Sequence, residues 1–157
     1  MTEHFERIAN ELLDNSISIS DGLFDDHLIE RLKQEAVLDF ENGEFHKAQV
    51  GKGVEKQRIT ELRSDQVKWL DSDYASEDLS QYWSFVTSLR QYLTEFFRIH
   101  LERTELHFAV YPQGSFYTKH VDQFQAHGDR VFSIILYLNT EWKPGDGGEL
   151  RVYNPDG

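Results

Sequence analysis

Cysteine is missing from all 157 residues, which excludes disulfides, thiolate zinc sites and cysteine nucleophiles together. Its absence suits a reducing compartment, and the cytoplasm is the expected location. Long apolar runs are also missing, none approaching membrane-spanning length, and the opening Met1-Thr2-Glu3-His4-Phe5-Glu6 is acidic where a secretory leader would be basic. Neither a membrane anchor nor a leader is therefore expected. Basic charge is scarce as well: 16 Lys and Arg against 28 Asp and Glu give a formal net charge of -12. That charge repels phosphate backbones and anionic membranes, so small molecules or proteins are the expected partners, not nucleic acid or lipid.

What is present is apolar and aromatic side chain, 39% and 13% of the residues, enough to give a chain of this length one domain with a real core. Phe5, Ile8, Ala9, Leu12 and Leu13 recur at helical spacing, as do Leu28, Leu32, Ala36 and Phe40 between Asp25 as cap and Gly43 as stop. Leu79, Tyr82, Trp83, Val86, Leu89, Leu93, Phe96 and Phe97 define a third and longer helix, with Ser76, Glu77 and Asp78 at its start. Alternation of period two predicts strands at residues 16–19, 106–111, 117–122, 131–139 and 149–153. Residues 49–65, with Gly51 and Gly53 among charges, read as a long loop or irregular hairpin. Helices followed by strands predict an α+β domain, with helical support over about residues 1–100 and a β core from about residue 105.

His120 and Asp122 carry the first chemical signal. Residues two apart on a strand share a face, so an imidazole and a carboxylate converge there, a pair suited to Fe(II) that needs one more histidine to form a facial triad. A solvated strand end explains the same pair without a metal. His107, on a strand face with Ala109 and Tyr111, reads first as an interior histidine and His127 as a loop residue, though spacing excludes neither as a ligand. Val131, Ser133, Ile135 and Tyr137 share a face, and the hydroxyls of Ser133 and Tyr137 bond either to backbone or to a polar ligand. Tyr111 is either core or cavity lining, and alternation turns Lys119 away from His120, toward solvent.

Taken in order, Leu62-Arg63-x-Asp65-x-x-x-Trp69, Tyr111-Pro112-x-Gly114, Tyr117-x-x-His120-Val121-Asp122, Arg130, Leu136-Tyr137-Leu138-Asn139-x-x-Trp142 and Gly147-Gly148-Glu149-Leu150-Arg151 resemble the prolyl 4-hydroxylase family. These Fe(II)- and 2-oxoglutarate-dependent dioxygenases include the oxygen-sensing prolyl hydroxylases and their bacterial relatives. The resemblance covers roughly residues 45–157 and implies a double-stranded β-helix, or jelly-roll, with the N-terminal helices packed on one face. It implies His120 and Asp122 as iron ligands, Tyr137, Tyr111 and Ser133 at the co-substrate, and Arg63, Trp69, Tyr117 and Arg130 near the substrate. Asp65 and Arg130 match a pair tying the loop-flanking segment to the barrel; a weak surface contact is the competing reading. The implied reaction hydroxylates a prolyl residue of a protein, with a translation elongation factor as one candidate. It uses O2, Fe(II), 2-oxoglutarate as co-substrate and ascorbate as a further cofactor, and releases succinate and CO2.

The resemblance departs from the family at its end. Family members supply their second histidine ligand, and a basic residue for the far carboxylate of 2-oxoglutarate, several tens of residues after the Gly-Gly-Glu-Leu segment. The sequence stops at Gly157 in what reads as a turn, so a truncated enzyme lacking its last barrel strands is expected. Two other readings compete: a non-catalytic jelly-roll module binding 2-oxoglutarate, peptide or a partner, and a sugar-binding jelly roll without iron.

Overall fold

The computed structural model describes residues 2–48, 62–121 and 130–153. Its helices are α1 (Thr2–Asn15), α2 (Asp26–Glu41) and α3 (Glu77–Phe97), where the apolar periodicity predicts them. The predicted caps also form. Asp25 accepts the amide of Leu28 at 2.8 Å and Ser76 accepts that of Leu79 at 3.1 Å, each satisfying a donor that the first turn leaves open. Gly43 follows the last residues of α2 at φ +74, a left-handed position where a side chain would be strained, and its amide closes on Phe40.

Amphipathic stripes meet in one core. Phe5, Ile8 and Ala9 of α1 and Leu28, Leu32 and Ala36 of α2 pack with Leu79, Tyr82, Phe85, Val86, Leu89 and Leu93 of α3. Phe24, in the connection before α2, sets its ring edge to Phe85 at 4.7 Å. Polar ties fix how α2 meets the start of α3, with Arg31 on Asp78 at 2.8 Å and the Ser76 hydroxyl donating to Glu35 at 2.6 Å.

The strands β1 (His46–Lys47), β2 (Gln66–Leu70) and β3 (Leu106–Val110) form an antiparallel sheet in the order β1-β2-β3. Sheet therefore begins before α3, which blurs the expected division into helical and β parts. One sheet face, with Leu70, Leu106, Phe108 and Val110, packs on the helices.

Four strand expectations, at residues 16–19, 117–122, 131–139 and 149–153, need correction. Residues 16–19 form no strand; the Arg7 guanidinium donates to the Ile19 carbonyl and Ser20 hydroxyl, and Ser18 donates to Glu11, so side chains of α1 hold this segment instead of a ladder. Segment 117–122 contributes only an isolated bridge at Tyr117 among its described residues. No strand is assigned within residues 130–153, although Phe132, Leu136 and Leu138 pack toward the core and Val131, Ser133, Ile135 and Tyr137 face outward. Alternation fixes which side chains share a face, but a strand also needs a paired neighbour.

Candidate active site

Cross-strand register places the candidate residues on the sheet face turned away from the helices. Trp69 stands opposite His107 and Val67 opposite Ala109, while their neighbours Leu70, Lys68, Leu106 and Phe108 turn the other way. Trp69 remains 58% exposed and meets the His107 ring at 4.8 Å between centroids. After β3 the chain turns at Pro112, with the Ser115 amide on the Pro112 carbonyl, and returns beside residues 62–64. Ser64 donates to the Phe116 carbonyl at 2.9 Å and Thr118 to the Leu62 carbonyl at 2.8 Å, making Arg63 and Tyr117 direct partners. Directly opposed side chains lie on one face, and the Arg63 guanidinium carbon sits 4.2 Å from the Tyr117 ring centroid.

Among the described residues Asp65 is the one charged side chain that is buried, at 1% exposure. Its Oδ1 accepts Arg63 Nε at 2.8 Å and its Oδ2 accepts Arg63 Nη2 at 2.6 Å, a two-pronged ion pair. Burial works against the Arg63 charge, but the hydrogen bonds and charge of Asp65 outweigh it and raise the guanidinium pKa. Arg63 thus engages both carboxylate oxygens of Asp65, the residue that the family resemblance pairs with Arg130. The spacing of Arg63 and Asp65, two apart on an extended segment, was the available signal. Burial followed by the charge of Asp65 pushes the Tyr111 phenol up to about 12.

The stacked His120 ring lies 3.6 Å from the Tyr117 centroid with 15° between planes, and its Nδ1 is 2.7 Å from the Thr118 carbonyl. A carbonyl only accepts, so Nδ1 carries the hydrogen and, in the neutral ring, Nε2 carries the lone pair. This is the tautomer and anchoring that metal-bound histidines use, and His120 fits that role. Asp122 and His127 lie outside the described residues, and among the described residues no three His, Asp or Glu side chains gather as a metal cluster.

On the outward face of residues 131–137, Ser133 is exposed and the Tyr137 hydroxyl meets backbone, donating to Gly148 at 3.1 Å and accepting from Leu150 at 3.0 Å. Gly147 and Gly148, both at φ +82, turn this stretch so that the Gly147 carbonyl meets the Trp142 indole at 2.8 Å. Lys119 is not simply solvated: its ammonium lies 4.3 Å from the Tyr153 ring centroid. His107 remains exposed overall, yet desolvation of its ring, then the charges of Arg63 and Arg130, lower its pKa. That places Arg130 in the electrostatic neighbourhood of the Trp69–His107 pair.

Comparison with known proteins gives these residues a family. Residues 106–157 match the 2OG-Fe(II) oxygenase superfamily. The chain is 30% identical, over an alignment of 166 residues and 98% of its length, to a hypoxia-inducible factor prolyl hydroxylase of Caenorhabditis elegans, of which it spans 22%. It superimposes on the crystal structure of a Pseudomonas putida prolyl-4-hydroxylase with a TM-score of 0.80 and 30% identity, covering 92% of this chain and 72% of that one. The chain belongs to the prolyl hydroxylase family of 2OG-Fe(II) oxygenases. Membership implies Fe(II) and 2-oxoglutarate as cofactor and co-substrate.

Proposed function

We propose that this chain serves an Fe(II)- and 2-oxoglutarate-dependent hydroxylase acting on a prolyl residue of a protein substrate. The observation that carries the reading is His120, whose Nδ1 is anchored on the Thr118 carbonyl so that Nε2 presents the lone pair. Asp122 is the proposed second iron ligand. The iron, when bound with 2-oxoglutarate and O2, supplies the oxidising power for hydroxylation, leaving succinate and CO2 as co-products.

The chain's own residues hold and orient. Thr118 fixes the tautomer of His120. Arg63 and Asp65 set the backbone beside Tyr117, and Trp69 and His107 form an aromatic floor next to them. Arg63, Trp69, Tyr117 and Arg130 are proposed to meet the peptide, with Tyr111, Ser133 and Tyr137 on the 2-oxoglutarate side, in a jelly-roll setting. A translation elongation factor is the proposed substrate and ascorbate the proposed accessory reductant. Among the described residues no helix is long and apolar enough to cross a membrane, and the proposed site of action is the cytoplasm.

The test is succinate formation from 2-oxoglutarate with a proline-containing peptide, Fe(II) and O2, alongside mass spectrometry of the peptide. Iron-dependent succinate with a hydroxylated prolyl residue, both abolished by His120→Ala, is expected. Peptide binding without succinate would overturn the catalytic reading.

A further inference from the structure

A continuous line of contacts runs from a buried carboxylate to the histidine just described. Asp65, at 1% exposure, holds Arg63 by two hydrogen bonds; Arg63 lies against the Tyr117 ring; and that ring stacks on His120 at 3.6 Å. The elements that carry the line are far apart in sequence and meet only because residues 62–64 pair with residues 116–118. His120 itself is exposed. The hydrogen bond from Nδ1 to the Thr118 carbonyl fixes where that atom lies, and the tilt of the ring plane is a separate freedom. A flat surface pressed on the ring removes that freedom, and a guanidinium held at two points keeps the surface in place.

We infer that Arg63 and Tyr117 are positioning residues for His120, a column braced on Asp65 that holds the imidazole plane so that Nε2 keeps one direction. The inference rests on the reading of His120 as a metal ligand. It differs from a substrate-contact role for Arg63 and Tyr117, because it requires their aromatic and planar faces in the absence of any peptide.

The column is tested by nitrogen-15 NMR of the His120 ring in the metal-free chain, followed by titration with Co(II) alone. In the unsubstituted chain His120 is expected to show a single Nδ1–H tautomer, with ring protons moved upfield by the Tyr117 ring current. Tyr117→Phe retains both signatures. Tyr117→Leu loses the upfield shift, mixes the tautomers and weakens Co(II) binding about ten-fold, the lower end of what loss of an outer-shell partner costs. Arg63→Lys keeps a charge beside Asp65 but removes the planar fork; it is expected to move the same signals in the same direction, and carries the test if the leucine variant does not fold. A folded Tyr117→Leu chain with unchanged His120 resonances overturns the inference. A chain with the expected His120 signature that binds no Co(II) leaves the column standing and sinks the metal-site reading instead.

Discussion

Tyr137 spends its only hydroxyl proton on the Gly148 carbonyl, at 3.1 Å, while accepting the Leu150 amide at 3.0 Å. A carboxylate of 2-oxoglutarate, if held by Tyr137 as proposed, would need that same proton. On that proposal the two roles compete, and co-substrate binding would redirect the hydroxyl from Gly148. Tyr137→Phe is expected to raise the 2-oxoglutarate concentration needed for half-saturation, since a hydrogen bond to a charged group contributes about 1.5–3 kcal/mol. The same change should reduce unfolding stability by only about 0.5–1.5 kcal/mol, because the residue is half exposed and water replaces the lost partner. Co-substrate titration and urea denaturation of one variant separate these outcomes. An unchanged 2-oxoglutarate requirement would confine Tyr137 to holding the 148–150 turn.

The pairing at Asp65 makes a second prediction. Arg63 and Asp65 are both largely withdrawn from solvent, with side chains 15% and 0% exposed, so removing either partner strands a charge in a poorly hydrated place. Asp65→Ala is expected to cost about 3 kcal/mol by urea denaturation, the lower end for a broken buried pair. A double-mutant cycle should find stronger coupling of Asp65 to Arg63 than to Arg130. The reverse order would restore the partner that the family resemblance pointed to.

His107 makes the pH dependence specific. Its pKa in the fold lies below the ordinary value of 6.5, because desolvation, Arg63 and Arg130 all oppose its charge. Below 6.5 the unfolded chain takes up the proton more readily than the folded one, so stability falls as pH drops from there through the folded pKa and then levels off. At higher pH both states are neutral and the group contributes nothing. His107→Gln is expected to flatten this part of the profile, measured as the urea midpoint against pH. Trp69 fluorescence should report the same titration, since its ring lies 4.8 Å from His107. A profile unchanged by the substitution would clear His107 of the effect.

The helices were legible because each carries one apolar stripe and a capping side chain, and Asp25, Ser76 and Gly43 act where their chemistry predicts. Strand β3 was legible for the same kind of reason. The candidate site was legible as motifs: Arg63, Trp69, Tyr117 and His120 all reach the sheet face away from the helices or the segment beside it. Their mutual contacts were not legible, because the pairing of residues 62–64 with 116–118 is a fact of register that neither segment encodes alone. Strand β2 escaped for a different reason. Its polarity is inverted, with Lys68 on the helix side and the large apolar Trp69 on the exposed side.

That inversion is sustained by two acids. The Lys68 ammonium lies 2.6 Å from Asp39 and 2.7 Å from Glu44, at the end of α2 and in the connection after it. Burial works against its charge, yet the two carboxylates outweigh it and raise the pKa. Asp39 is the more buried partner, with 14% side-chain exposure against 48% for Glu44, so solvent compensates its loss less well. Lys68→Met would keep the aliphatic stem but leave Asp39 facing it without a cation, and should destabilise the chain by about 1–2 kcal/mol. In that background Asp39→Asn should recover most of the loss, whereas Glu44→Gln should recover little. Urea denaturation of the three chains decides the point: recovery through Glu44 instead would mean that the exposed acid, not the sheltered one, holds β2 to α2.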